Sequence, residues 1–191
     1  MEKYEKIETG IEGLYVIKPT VHGDDRGFFM ESYTKKDFEN LGITQEFVQD
    51  NHSKSSKGVL RGMHYQINFP QTKLVRVVRG AVYDAVVDLR KDSKTYGKYF
   101  GVELSEENHL EFLVPKGFAH GFLVLSDEAE FLYKVDDFYH PGDEGGLPYN
   151  DEYVGIDWPL DKIGGEENLN ILERDRNWPN FMEQNIKFDI K

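Results

Sequence analysis

Cysteine is absent from this chain of 191 residues, and its absence removes several kinds of chemistry at once. Without a thiol there is no disulfide framework, no thiolate metal site and no cysteine nucleophile. Stability must therefore come from a buried core, and a chain of this length can bury roughly 70% of its unfolded surface. The lack of cysteine is also consistent with a reducing compartment.

Long apolar runs are missing as well. No segment approaches the ~18 consecutive apolar residues that a membrane-spanning helix needs. The first ten residues, MEKYEKIETG, are charged and lack the apolar centre of a secretory signal. These features predict a soluble, cytoplasmic protein without a membrane anchor.

Basic residues are outnumbered, with 23 Lys and Arg against 35 Asp and Glu, which gives a net charge of −12. An acidic surface repels the phosphates of nucleic acids, so we do not expect a nucleic-acid partner. An anionic small molecule would need a local basic pocket that works against this field. Arg26, Arg61, Lys73 and Arg76 are candidates for such a pocket, because each lies close to apolar, strand-like sequence.

Short β-prone runs make up residues 58–135. They are rich in Val, Tyr and Phe, and turn residues separate them at intervals of roughly 8–12 residues. This spacing is typical of an all-β sandwich or barrel. The runs are KLVRVV, AVYDAVVDL, KYFGVEL, HLEFLV, AHGFLVL and AEFLYKV.

The two flanks of this region differ from it. Residues 1–57 mix short strands with one helical stretch, TKKDFENLGI, in which Thr34 is the predicted N-cap and Gly42 the predicted stop. Residues 136–191 contain many Gly, Pro and Asp residues, which predict loops rather than regular structure.

Alternation along the predicted strands places a few polar side chains on otherwise apolar faces. His64, Asp84, His120 and Tyr133 interrupt such faces on four different runs. The interior of a small barrel, lined by side chains and open at one end, is a natural place for a ligand.

Two short motifs resemble those of the cupin superfamily, namely GVLRGMHYQ at residues 58–66 and PKGFAH at residues 115–120. The resemblance implies a cupin-type double-stranded β-helix, or jelly roll. Of the four ligands that metal-binding cupins use, only His64 and His120 are present, because Gln66 replaces the second histidine and the glutamate is missing. Two histidines and a neutral amide are a poor ligand set, so no metal site is predicted.

Longer blocks of sequence, from about residue 11 to about residue 178, carry a more specific resemblance. They are similar to the dTDP-4-dehydrorhamnose 3,5-epimerase family. This resemblance implies a single jelly-roll domain over residues 1–191, with a core at about 11–159, short flanking helices and a C-terminal extension at 160–191. The blocks are GDDRGFFMESY, FVQDNHSKSSKGVLRGMHYQ, KLVRVVRGAVYDAVVDLRKDSKTYG, VPKGFAHGFLVLSDEAEFLYKVDDFY and IDWP.

The family chemistry is proton transfer without a metal or redox cofactor. In the substrate, a dTDP-4-keto-6-deoxy sugar, the ketone acidifies the hydrogens on C3 and C5. The resemblance implies that His64 is the base, that Asp175 orients it, that Tyr133 is the acid on the opposite ring face, and that Lys73 stabilises the enolate. The competing readings are a solvated turn residue for Asp175, core packing for Tyr133 and a strand-edge position for Lys73.

The resemblance also implies a set of substrate contacts. Arginine forks suit the diphosphate, Tyr139 would stack on the thymine ring, and Asp84 with His120 would support the sugar or form a buried core pair. Arg61 is out of phase with His64 on an ideal strand, so either the strand is irregular near Gly62 or Arg61 reaches in from the rim. The implied contacts are Arg26, Glu31, Gln49, Asn51, Arg61, Lys73, Asp84, His120, Tyr139 and Glu144.

The resemblance also implies a homodimer in which the N-terminal segment crosses to the partner, and it leaves open whether Arg26 serves its own site or the neighbouring one. Three alternatives stay open at this point. One is a related sugar-nucleotide enzyme, either a 3-epimerase or a 3,4-ketoisomerase. The others are a metal-dependent cupin oxygenase and a non-catalytic sugar-binding jelly roll.

Overall fold

Short antiparallel strands dominate the computed structural model, which describes residues 3–184 and 186–190. The strands are β1 (Tyr4–Glu8), β2 (Tyr15–Pro19), β3 (Val21–Asp24), β4 (Gly27–Met30), β5 (Gln49–Ser56), β6 (Leu60–Gln66), β7 (Lys73–Arg79), β8 (Ala81–Asp88), β9 (Tyr99–Ser105), β10 (Glu111–Val114), β11 (Phe118–Val124), β12 (Glu128–Val135) and β13 (Glu144–Gly146). The helices are α1 (Lys35–Asn40), α2 (Glu173–Arg176) and α3 (Phe181–Gln184), with 3-10 turns at Leu160–Ile163 and Glu166–Asn168.

Two packed sheets form the body of the fold. One has six strands in the order β1-β2-β10-β7-β12-β5, and the other has five in the order β13-β6-β11-β8-β9. Strands β3 and β4 form a separate hairpin. This architecture confirms the predicted all-β, cupin-type jelly roll with short flanking helices. No helix among the described residues is long and apolar enough to cross a membrane.

Strand β8 shows why the alternating pattern was informative. Val82 and Val86 pack in the core between the two sheets. Ala85 and Val87 point the other way, into a second cluster that includes residues of the C-terminal segment. The five-stranded sheet is therefore covered on both faces, and the C-terminal segment supplies one of the covers.

Helix α1 lies where the sequence predicts it, and Thr34 is its N-cap residue as predicted, although the cap is made by the backbone and not by the side chain. Phe38 packs with Ile17 and Leu74 in a third cluster on the outer face of the six-stranded sheet. The Thr34 side chain makes no capping hydrogen bond; its hydroxyl donates to the Glu31 carboxylate at 2.6 Å, a charged acceptor that competes with the cap. Gly42 follows the helix with a φ of +81°, as a stop residue requires.

Glu111 is an unusual member of this outer face. It is fully buried, and within the described part of the chain neither carboxylate oxygen has a hydrogen-bond partner. It borders a small cavity of about 220 Å³ together with Arg76 and Lys134. Burial raises the pKa of Glu111 to about 8, although the two cations act in the opposite direction.

The raised pKa of Glu111 predicts that the protein becomes less stable as the pH rises. Between pH 4.5, its ordinary pKa, and about 8, the folded protein holds a proton that the unfolded chain has released. The free energy of unfolding should therefore fall as the pH rises through this window. We expect the free energy of unfolding of the wild-type protein to fall by roughly 2–5 kcal/mol across this window, and that of Glu111→Gln to stay level. Urea unfolding of both proteins from pH 5 to 8 measures this difference. Free energies of unfolding that change in parallel with pH in the two proteins would contradict the prediction.

Candidate active site

A cavity of about 570 Å³ opens between the two sheets and the C-terminal segment. It brings together the four predicted catalytic residues and five of the ten predicted substrate contacts, with Lys73 in both sets. The predicted residues that line it are Asn51, Arg61, His64, Lys73, His120, Tyr133, Glu144 and Asp175.

His64 and Asp175 form a hydrogen-bonded pair in this cavity. The distance from His64 Nε2 to Asp175 Oδ1 is 2.8 Å, and the Asp175 side chain is only 2% exposed. Burial alone would raise the pKa of Asp175, but the hydrogen bonds and charges of His64 and Arg174 outweigh it and lower the pKa. The carboxylate is thus ionised at neutral pH, and Asp175 is not a solvated turn residue. Since Nε2 is taken, Nδ1 is the ring nitrogen left for a substrate proton.

The C-terminal segment reaches His64 by running beside the start of β6. Asn170 pairs with Val59, and its backbone accepts a hydrogen bond from Leu60 N at 3.1 Å and donates one to Gly58 O at 2.9 Å. A Cβ on Gly58 would lie 2.3 Å from a backbone oxygen, that of Asn168, so only glycine permits this approach. The glycine that opens the GVLRGMHYQ motif therefore helps to place Asp175.

A β-bulge decides the phase of Arg61. In the pairing of β6 with β11, His64 lies opposite His120 and Arg61 opposite Phe122, so three residues of one strand span two of the other. Because the extra residue reverses the alternation, Arg61 and His64 line the same cavity. Arg61 also donates from Nε to Ser55 Oγ at 3.1 Å. The strand is irregular near Gly62, which was one of the two alternatives left open by the sequence.

Lys73 and Tyr133 enter the cavity from neighbouring strands of the six-stranded sheet. Burial lowers the pKa of Lys73 to about 8, although the charges of Asp84 and Glu144 oppose the shift. Burial raises the pKa of Tyr133 above its usual value, so the phenol stays protonated at neutral pH. Lys73 is accordingly not an ordinary strand-edge lysine, since it lies in the cavity that holds His64.

His120 and Asp84 form a second imidazole–carboxylate pair. The distance from His120 Nε2 to Asp84 Oδ1 is 2.9 Å, and both side chains are buried. Burial raises the pKa of Asp84 and lowers that of His120, and each partner opposes the shift of the other. Asp84 lies behind His120, which alone of the two borders the cavity. The pair is therefore both a buried core pair and part of the cavity wall.

The residues that stand in for cupin metal ligands have other partners. His64 and His120 face carboxylates, and the amide of Gln66 bonds to the backbone at Phe69 and His140. Among residues 3–184 and 186–190, no group of three or more His, Cys, Asp or Glu side chains is arranged to hold a metal ion.

Besides Asp84, four predicted contacts lie outside the cavity of the single chain. Arg26 is 89% exposed on the β3–β4 hairpin and pairs with Asp24. Glu31 binds Lys3 and Thr34. Gln49 donates to Asn51 Oδ1 at 2.9 Å, and Tyr139 is 51% exposed on the loop that precedes β13. Their roles stay predictions.

The sequence reasoning missed Arg174. Its guanidinium lines the cavity, pairs with Glu144 Oε2 at 2.8 Å and donates to Asp175 Oδ1 at 3.2 Å. Its position next to Asp175 in ILERDRN was the only available signal, because a four-residue helix has no periodicity that would orient its side chains.

The fold and the cavity together define a cupin-type enzyme equipped for proton transfer. The family model described as dTDP-4-dehydrorhamnose 3,5-epimerase matches residues 8–183. The chain therefore belongs to the dTDP-4-dehydrorhamnose 3,5-epimerase family, as predicted, and the members of this family are isomerases that act on sugar nucleotides.

Individual relatives cover nearly the whole chain. The dTDP-4-dehydrorhamnose 3,5-epimerase of Methanothermobacter thermautotrophicus is 48% identical over 186 residues, which are 97% of this chain and 99% of the relative. The crystal structure of the Elizabethkingia anophelis enzyme has a TM-score of 0.89 at 48% identity, covering 96% of this chain and 99% of that one. A Legionella pneumophila epimerase in complex with dTDP-4-keto-L-rhamnose has a TM-score of 0.90 at 44% identity, covering 98% and 99%.

Proposed function

We propose that the protein converts dTDP-4-keto-6-deoxy-D-glucose into dTDP-4-keto-L-rhamnose by inverting C3 and C5. The observation that carries this proposal is the hydrogen-bonded His64–Asp175 pair, which shares one cavity with Tyr133 and Lys73. The arrangement supplies a base, an acid and a cation, and these are the three groups that an enolate mechanism needs.

Each inversion is a pair of proton transfers. His64 takes the proton from the carbon, and the electron pair of the C–H bond moves to the C4 oxygen and forms an enolate. The Lys73 ammonium stabilises that oxygen, while Asp175 stabilises the imidazolium. Tyr133 then gives its phenol proton to the opposite face of the carbon and the C4 ketone forms again. The His64 imidazolium then releases its proton to the solvent, and the Tyr133 phenolate takes up a proton from the solvent.

Binding of the diphosphate needs cations in a chain whose net charge is −12. Arg61 and Arg174 both line the cavity, and their planar guanidinium groups suit phosphate oxygens. We infer that they hold the diphosphate, and that Tyr139, which is exposed outside the cavity lining, stacks on the thymine ring. The C-terminal extension supplies Asp175 and Arg174, which supports a single functional unit over residues 1–191.

A homodimer would bring Arg26 to the site. On the β3–β4 hairpin Phe28 and Phe29 are 60% and 65% exposed, an apolar surface that a second copy would cover. We infer that this hairpin crosses to the partner, so that Arg26 reaches the neighbouring cavity. A cytoplasmic location stays a prediction.

Solvent exchange tests the function directly. In D2O, the protein and dTDP-4-keto-6-deoxy-D-glucose should yield product with deuterium at both C3 and C5, detected by mass and proton spectra. Deuterium at C3 alone would support a 3-epimerase instead. Binding of the nucleotide sugar without incorporation above a protein-free control would indicate a non-catalytic sugar-binding protein. Stoichiometric iron, manganese or zinc in the purified protein would favour the oxygenase.

A further inference from the structure

Two loops join the strand ends from which the proposed site residues project. Residues 67–72 connect β6, the strand of His64, to β7, which begins at Lys73. Residues 136–143 connect β12, the strand of Tyr133, to β13, which begins at Glu144. The second loop also carries Tyr139. The two loops lie outside the cavity lining themselves, but each leads directly into a residue that lines it, Lys73 and Glu144.

The side chain of Gln66 bridges these two loops. Its Nε2 donates to Phe69 O at 2.7 Å in the first loop, and its Oε1 accepts from His140 N at 3.0 Å in the second. Gln66 is 7% exposed, so water cannot easily replace either bond. The bridge needs one donor and one acceptor on the same side chain, which an amide provides and a carboxylate or a hydrocarbon does not.

Asp143 makes a second connection between the same loops. Its buried carboxylate accepts hydrogen bonds from the backbone N–H groups of Asn68 and Phe69 and from the Asn68 side chain, at 2.6–3.1 Å. Burial alone would raise the pKa of Asp143, but these bonds lower it. The ring of Phe69 also stacks on that of His140, with centroids 3.8 Å apart.

We propose that Gln66 is a positioning residue that fixes the 136–143 loop for recognition of the nucleotide. The backbone N–H that it holds belongs to His140, the residue after Tyr139, and Gln66 lies opposite Glu144 in the pairing of β6 with β13. The proposal rests on the proposed function, because it takes Tyr139 and Glu144 as nucleotide contacts. Gln66 occupies the place of a cupin metal ligand but serves to hold the two loops together.

Gln66 should affect binding rather than chemistry, because Asp175 reaches His64 from the C-terminal segment and not through either loop. Gln66→Met keeps the size of the side chain and removes both hydrogen bonds. We expect the KM for the nucleotide sugar and the Kd for dTDP to rise on the order of tenfold, with kcat within about twofold of wild type. The Kd for pyrophosphate should stay unchanged, because Arg61 and Arg174 lie outside the two loops.

Two further variants complete the design. Asp143→Asn weakens the same connection independently and should give the same pattern, so it tests the proposal even where Gln66→Met fails to fold. Asp88→Asn is the matched control, since Asp88 is a buried carboxylate that holds a different loop through Arg90, Ser93 and Thr95. It should lower Tm without raising the Kd for dTDP.

The outcomes separate this inference from the proposed function. Wild-type protein without solvent exchange overturns the proposed function, whatever the variants do. Active wild-type protein, together with folded Gln66→Met and Asp143→Asn variants that bind dTDP normally, overturns the role of Gln66. Equal weakening of dTDP and pyrophosphate binding overturns it as well, because that result indicates a general loss of structure.

Discussion

Replacing His64 with asparagine is expected to lower the rate of solvent exchange at C3 and C5 by about a thousandfold. Arg174 still donates to Asp175, so the buried carboxylate keeps a partner, but an amide cannot accept a proton at neutral pH. The measurement is deuterium incorporation from D2O into the substrate, alongside the Kd for dTDP, which should stay within about threefold of wild type because the diphosphate contacts remain.

His109→Asn is the matched control for this substitution. His109 has a φ of 54°, a conformation that asparagine tolerates, and it lies outside the lining of the cavity. The His109→Asn variant should exchange deuterium into the substrate at the wild-type rate. Exchange at the wild-type rate in a folded His64→Asn protein would remove His64 from the role of base.

Tyr133→Phe should separate proton removal from inversion. The variant keeps the ring that packs between the sheets but loses the acid, so His64 can still take a proton and return a deuteron to the same face. We expect product formation to fall by roughly a hundredfold or more, while exchange at C3 without inversion falls much less. Proton spectra of the recovered substrate and product, measured over time in D2O, distinguish the two processes.

Tyr83→Phe provides the comparison for Tyr133→Phe. Tyr83 is another half-buried tyrosine, on β8, and it packs on the other side of the five-stranded sheet against the cluster of the C-terminal segment. Loss of the Tyr83 hydroxyl in this variant should leave the rate of product formation unchanged. Product formation by Tyr133→Phe at the wild-type rate would show that a different group supplies the second proton.

Local patterns explain why so much of the fold could be predicted. The faces of β8 follow from strict alternation, which is a property of the strand itself and needs no knowledge of its neighbours. The position of helix α1 likewise follows from nearby signals, among them Gly42. Thr34 is the N-cap residue as predicted, but its hydroxyl had a choice between a backbone N–H and the carboxylate of Glu31, and propensity cannot rank such choices.

Contacts between distant segments explain what was missed. The phase of Arg61 depends on how β6 pairs with β11, a strand more than fifty residues further along. Arg174 entered the cavity only because residue 170 pairs beside the start of β6. Neither event leaves a pattern in the surrounding sequence, since the partner is not a neighbour in the chain.

The sequence by itself determined the all-β class, the family and the presence of a histidine within a cupin motif. The tertiary structure decided how GVLRGMHYQ is used: Gly58 admits the C-terminal segment, a bulge turns Arg61 towards His64, and Gln66 holds two loops together. The reason is physical. Alternation and turn propensity act over a few residues, whereas the cavity is assembled from β-strands and a C-terminal segment that meet only after the chain has folded.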